Sequence, residues 1–200
     1  MPSQLSRLGT LLRYRMTTHY QSGAFLGPRI GDKCTFGLLI LGLYWGIGDE
    51  ESTQSIQSVA SLLYFICALC GYGAAAFVPS LTLDRPLFYR ELADGCYTPL
   101  VYYLSKFIEE ATLCVFTSLL FSMIVFFAVR LQGSFLVFAS IYYLTTMNGI
   151  CLAYAVAAIV PNMDAANALL PTLVTMWMYF GGLFLLFDKI PVYFNWLSWT

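Results

Sequence analysis

Five apolar runs, each close to the roughly 20 residues that a helix needs to cross a bilayer, dominate this chain of 200 residues. They lie at about 30–48, 56–78, 100–129, 134–160 and 166–187 by hydrophobic pattern. Soluble domains carry about 25% charged residues; here 59% of residues are hydrophobic and only 10% charged. Such a chain cannot cover itself with polar surface, so the pattern predicts an all-α membrane protein. No internal repeat or long linker divides it, and residues 1–200 read as one domain. Its first part, 1–29, contains "LSRLGTLLRYRM", which spaces Leu5, Leu8, Leu12 and Met16 as a helical stripe with Arg7, Arg13 and Arg15 between them. That spacing predicts an amphipathic helix lying at the cytoplasmic membrane surface. Residues 30–187 supply the five spans, and 188–200 open an extracellular or re-entrant segment. An odd span count and an end soon after the fifth span predict an incomplete chain.

Orientation follows from Lys and Arg in the short flanks. Arg7, Arg13, Arg15, Arg29 and Lys33 lie at or before the start of the first span, and Arg85 and Arg90 fall between the second and third. The other side holds Arg130, Lys189 and the acidic "DEE" at 49–51. The N-terminus is therefore expected in the cytoplasm. Gly42 and Gly46 in "GLYWG" have the small-xxx-small spacing that lets helices approach closely. Pro171 is expected to kink or loosen the fifth span.

Several chemistries have no sequence support. A net charge of −1 without a basic region gives no reason to expect a nucleic-acid partner. G-x-x-x-x-G-K-[ST] is absent, as are H-E-x-x-H and G-x-S-x-G, so no ATPase, zinc-protease or serine-hydrolase motif stands in these residues. No catalytic residue, metal site or resident cofactor is expected. Cys67 and Cys70 form a C-x-x-C inside an apolar run; with no second pair or nearby His, packing explains them better than redox or metal chemistry. His19 stands in the N-terminal flank with no evident partner and is expected at the surface.

Lys106, Glu109 and Glu110 bring charge to one face of the third span at i, i+3 and i+4. Charges inside a membrane helix call for a role. Three remain open: a structural or coupling network near the cytoplasmic mouth, a substrate path, or a proton relay.

The loop before that cluster carries a resemblance. "LDRPLFYRELADGCYTPLVYYLSKFIEE" (83–110) resembles the segment joining the second and third spans in the G subfamily (white/PDR type) of ABC transporters, through Asp84, Arg85, Phe88, Arg90, Glu91, Gly95, Tyr97, Tyr103, Lys106 and Glu110. It has Asp84 where Glu is usual and Ala111-Thr112 where the family tends to Leu-Pro. "FGGLFLLFDKIPVYFNWLSW" (180–199) resembles the end of the fifth span and the start of the family's large extracellular segment. The resemblance implies the transmembrane domain of a type-2 ABC exporter lacking its last span, one half of a homo- or heterodimer. The full transporter would be an ATP-hydrolysing translocase whose separate or upstream nucleotide-binding domain takes ATP and Mg. Asp84, Arg85, Phe88, Arg90 and Glu91 are then expected at the coupling surface, with Phe88 filling a groove of that domain and the charges fixing register. The same resemblance places Tyr72, Thr175 and Met178 on a flat apolar substrate cavity at the dimer axis, suited to lipids, sterols or hydrophobic drugs, and Leu183 and Phe184 in a gate above it. Two other classes of function stay in contention, an ATP-independent ion-coupled carrier using Lys106, Glu109 and Glu110, and a non-transporting membrane scaffold.

Overall fold

The computed structural model describes residues 4–49 and 52–181, all of whose regular structure is helical. The helices are α1 (Gln4–His19), α2 (Gly23–Leu43), α3 (Thr53–Gly73), α4 (Val78–Thr82), α5 (Arg85–Ala93), α6 (Pro99–Val129), α7 (Phe135–Ile159) and α8 (Met163–Phe180), with short 3-10 turns at Ile47–Asp49 and Ala74–Phe77. A helix pairs its peptide groups within one segment, so it is the expected solution for apolar runs of about 20 residues in hydrocarbon. Three helical runs among the described residues are long and apolar enough to cross a membrane: Thr53–Ala93, Pro99–Val129 and Phe135–Ile159. The chain is an all-α membrane protein. Helices α2 and α8 occupy the positions of the first and fifth expected spans, although α2 begins seven residues before Ile30 and so takes in Arg29.

The contacts divide the chain into two compact units, one of residues 1–45 and 83–147, the other of residues 46–82 and 148–200. In the first, α1 and α2 both pack on α6. The reason is legible along α6, whose buried positions recur every three or four residues from Val101 and Tyr102 to Val125, Ala128 and Val129. This single stripe changes character along its length. Its first turns bury Ser105, Lys106, Glu109 and Glu110, its middle Cys114 and Ser118, and its last turns Phe121, Val125 and Val129. Gly37 of α2 sits where an added Cβ would meet Ile124 of α6 at 3.4 Å, so that contact is already close. Helix α6 starts with Thr98 in extended backbone and Pro99 in the first turn, a residue whose missing N–H costs nothing there. It stops where Arg130 turns left-handed at φ 57° and the Leu131 N–H returns to the Phe126 carbonyl at 3.1 Å.

In the second unit, α8 packs on α3 and α4. Its core joins Ala74 and Val78 to Ala153, Val156 and Ala157 of α7 and to Ala166 and Leu170 of α8. Small residues set the spacing, as is usual where helices meet in a bilayer. A Cβ on Gly71 would lie 2.7 Å from Val174 Cγ1, and one on Gly149 would lie 2.8 Å from the Cys70 carbonyl oxygen. Cys70 is thus a buried packing residue of α3, while Cys67 is exposed and both are free thiols.

One sequence expectation changes here. Helix α2 ends at Leu43 and Gly46 follows in a turn at φ 71°, so Gly42 and Gly46 do not share a helix face; nothing would touch a Cβ at Gly42. Helix α8 continues through Pro171 to Phe180 without interruption. Leu183 and Phe184, the expected gate, lie outside the described residues.

Candidate functional site

Lys106, Glu109 and Glu110 are each only 1% exposed, and each reaches a different part of the first unit. Lys106 Nζ meets Asp84 Oδ2 at 2.7 Å. Asp84 holds the N-cap position of α5, yet its carboxylate makes no cap hydrogen bond. The ammonium outcompetes the helix end because a charged partner in a poorly solvated place is worth more than a backbone N–H. Glu109 faces two turns of α1, through a short contact to His19 and a longer ion pair with Arg15 that is no hydrogen bond. His19 Nδ1 lies 2.5 Å from its Oε1, and Arg15 Nη1 lies 3.8 Å from its Oε2. Arg15 also comes within 3.7 Å of Asp84, and its guanidinium lies over the Tyr102 ring at 4.8 Å. Glu110 takes the Arg29 fork from α2 in two bonds, Nη2 to Oε1 at 2.7 Å and Nε to Oε2 at 3.2 Å. Arg29 completes its coordination with the Phe25 carbonyl at 2.9 Å and the Phe25 ring face at 3.7 Å. One turn further along α2, Lys33 projects toward the rings of Phe121 and Tyr142 at 5.8 and 5.4 Å.

Burying this many ions would be costly if any partner were missing. Here α6 is joined by charge to α1, α2 and the head of α5. Tyr20, in the α1–α2 turn, adds a hydroxyl bond to the Glu109 carbonyl at 3.0 Å. Burial, and then the Glu109 and Glu110 charges, push its phenol up to about 12.

His19 is therefore no lone surface residue. It is partly buried, paired with Glu109 and stacked on Phe25 at 4.8 Å. Nor does the leucine stripe of α1 alone face inward, since Leu5 is 80% exposed while Arg15 is the buried residue of that helix. The signal for both lay in their own spacing, because Arg15 and His19 stand one helical turn apart, as do the groups that reach a common carboxylate. Without knowing which helix faces α1, that spacing has no target.

Helix α5 has two faces. On the inner one, Phe88 packs against Tyr102 at 4.5 Å and Tyr97 at 6.4 Å, and Glu91 accepts the Tyr97 hydroxyl at 2.5 Å. Burial, helped by that bond, raises the Tyr97 phenol well above its ordinary range. On the outer face Leu87 and Tyr89 are 51% and 63% exposed, and Arg90 is exposed beside them. Phe88, expected to fill a groove of the nucleotide-binding domain, packs on these rings of its own unit and remains partly exposed. The more exposed apolar residues of this helix are Leu87 and Tyr89, which sequence reasoning passed over. Arg85 is partly buried.

In the second unit Tyr72 and Thr175 come together, hydroxyl to hydroxyl at 2.7 Å. The Thr175 hydroxyl donates to the Pro171 carbonyl at 2.7 Å, so Tyr72 is the donor between the two. Met178 is partly buried, and its carbonyl accepts the Tyr64 hydroxyl. No cluster of His, Cys, Asp and Glu able to hold a metal occurs among the described residues.

The sequence profile of the ABC-2 type transporter family matches residues 6–200. The chain belongs to the ABC-2 type transporter family. Its relatives include ABC transporter ATP-binding protein/permease wht-1 of Caenorhabditis elegans, 40% identical over 124 residues, a match covering 60% of this chain and 18% of that protein. ABC transporter G family member 31 of Arabidopsis thaliana is 26% identical over 178 residues, 83% of this chain and 12% of the relative. G family member 16 of the same plant is 24% identical over 193 residues, 95% and 26% respectively. This ABC-2 membrane domain thus spans between 12% and 26% of each of these three relatives. The G-subfamily resemblance of the 83–110 and 180–199 segments agrees with those names.

Proposed function

We propose that this chain is the substrate-translocating membrane domain of an ATP-driven exporter of lipids, sterols or other hydrophobic small molecules. It crosses the membrane five times from a cytoplasmic N-terminus and works paired with a second such domain. The nucleotide-binding domain, in the same polypeptide or a partner subunit, brings ATP and Mg. Tyr72, Thr175 and Met178 line the path, with Leu183 and Phe184 above it.

The observation that carries the reading is the connection of α5 to α6. The outer face of α5 offers Leu87, Tyr89 and Arg90, while its head is tied to α6 by the Asp84–Lys106 pair at 2.7 Å. A push on that short helix would reach α6 through a buried ion pair and an aromatic cluster, and α1 and α2 through Glu109 and Glu110. Packed, charge-linked elements move together and so can pass a two-state change between domains. The paired state of all three α6 charges favours this coupling role over a proton relay.

The test is Arg90→Glu in the full-length transporter, assayed for ATP hydrolysis and for substrate movement in vesicles. Hydrolysis should persist while transport falls at least about tenfold, the effect of losing roughly 1.4 kcal/mol of interface energy. Normal transport by the variant would remove α5 from the coupling path. Transport that survives ATP depletion and follows pH would instead favour an ion-driven carrier.

A further inference from the structure

Arg15 stands in the charged cluster without a hydrogen bond at its inner end. It is 7% exposed, and its Nε and Nη1 are buried with no hydrogen-bond partner among the described residues. Nη1 lies almost equally far from two carboxylates, 3.7 Å from Asp84 Oδ2 and 3.8 Å from Glu109 Oε2. Each of these already has a closer cation, Lys106 Nζ at 2.7 Å on Asp84 and His19 Nδ1 at 2.5 Å on Glu109. A buried guanidinium with idle donors is unfavourable. A shift of about 1 Å toward either carboxylate would form a charge-assisted bond of roughly 2.8 Å.

The balance of charge explains what holds Arg15 back. Asp84, Glu109 and Glu110 are met by Arg15, Arg29 and Lys106, one cation for each acid. His19 adds a fourth, and histidine is the side chain whose charge ordinarily changes between about pH 5 and 8. Its side chain is 27% exposed while that of Glu109 is 1% exposed, so solvent protons reach the cluster through the imidazole. The other groups facing the pair are uncharged in that range: the Tyr20 hydroxyl on the Glu109 carbonyl, the Tyr102 ring beside Arg15 and the Phe25 ring stacked on His19. Lys33, one turn beyond Arg29, has its own acid, Asp32, at 4.0 Å. Protonated His19 therefore gives the cluster one cation too many, and the nearer of the two takes Glu109.

We propose that His19 and Arg15 form a pH-governed latch between α1 and α6, in which they exchange Glu109. Protonated His19 holds the carboxylate and keeps Arg15 off it, which is the arrangement in this structure. As His19 loses its proton, its neutral N–H becomes a weaker partner than a guanidinium, and Arg15 closes on Glu109. Asp84 gives Arg15 up at small cost because Lys106 stays on it. Helix α1 is then fastened to α6 one turn nearer its start, and its last turn is released together with the His19–Phe25 stack. The His19–Glu109 bond is thus complete at acid pH and lost as pH rises through the ordinary histidine range. The latch lies in the packing of α1 on α6 and holds whether or not the chain transports.

The test is hydrogen–deuterium exchange of the full-length protein in lipid nanodiscs at about pH 5 and about pH 8, the two ends of that range, corrected for intrinsic exchange rates. The last turn of α1 closes with the Tyr20 N–H on the Met16 carbonyl at 3.2 Å. Its amides should exchange about tenfold faster at the alkaline end, the effect of one charge-assisted hydrogen bond. His19→Gln should show no such step, which separates His19 from histidines elsewhere in the full-length protein. Arg15→Met gives a second readout by thermal melt. It should melt close to the parent at the acid end, where Arg15 is unbonded, and about 3–12 °C below it at the alkaline end, where Glu109 would lack a cation. A last turn that exchanges equally at both pH values, or a step that survives in His19→Gln, would overturn the latch. So would an Arg15→Met deficit of the same size at both ends, zero included, which would leave Arg15 a fixed structural cation.

Discussion

Removing Glu110 tests the ion network at its best-defined point. Arg29 and Glu110 are held by two bonds of 2.7 and 3.2 Å, with side chains 6% and 0% exposed. Solvent therefore screens little of the interaction. Glu110→Ala would take from the guanidinium the carboxylate that holds it in two bonds, leaving the Phe25 carbonyl and ring in place. Breaking a buried pair from one side costs about 3–5 kcal/mol. For a domain of 150–250 residues each kcal/mol moves the melting temperature by about 2–4 °C. The expected loss is about 6–20 °C in a thermal melt of the full-length protein in lipid nanodiscs. The double replacement Arg29→Met with Glu110→Leu removes both charges and keeps most of the volume, so it should recover the greater part of that loss. The reasoning fails if Glu110→Ala melts with the parent. It fails equally if the double variant is as unstable as the sum of the two single ones, because the cost would then not come from an orphaned charge.

Other sites give independent checks. Gly149→Ala would press a methyl to 2.8 Å from the Cys70 carbonyl oxygen, a backbone atom that cannot step aside, and should cost about 1–3 kcal/mol in the same melt. An unchanged melt would mean that α3 and α7 are not in contact there. Tyr72→Phe removes the donor to Thr175 and should cost about 1 kcal/mol; if Tyr72 lines the substrate path, substrate preference should shift as well, and loss of stability alone would favour a scaffold. Tyr20 supplies a pH test. Its phenol stands at about 12 in the folded protein against about 10 unfolded, so the stabilisation is complete below pH 10 and lost as pH rises toward 12. Tyr20→Phe should be less stable at neutral pH and less sensitive to alkali across that interval, as read from melting temperature against pH.

Much of the architecture was written in local chemistry. Long apolar runs pair their backbone within themselves as helices, so Pro99–Val129 and Phe135–Ile159 are readable without any neighbour. The Lys106, Glu109 and Glu110 spacing was equally plain, since i, i+3 and i+4 fall on one helix face whatever surrounds it. The motif at 83–110 likewise carried the family by itself.

Partners could not be read the same way. A charge declares that it needs a counterion but not which one, and several cations compete for Asp84, Glu109 and Glu110. Only the packing of α1 and α2 on α6 assigned His19 and Arg15 to Glu109 and Arg29 to Glu110. The same holds for glycines. Gly42 and Gly46 had the right spacing but lost it when α2 ended at Leu43, whereas Gly71 and Gly149 acquired their meaning from a side chain and a carbonyl distant in sequence. It holds for α5 as well, where an alternating run of aromatics and charges cannot say which side is inward until Tyr97 and Tyr102 claim Phe88. Helix formation depends on neighbours within about one turn, and the sequence by itself determined it. The pairing of charges, the facing of α5 and the close approaches of glycine are long-range choices, and only the tertiary structure made them.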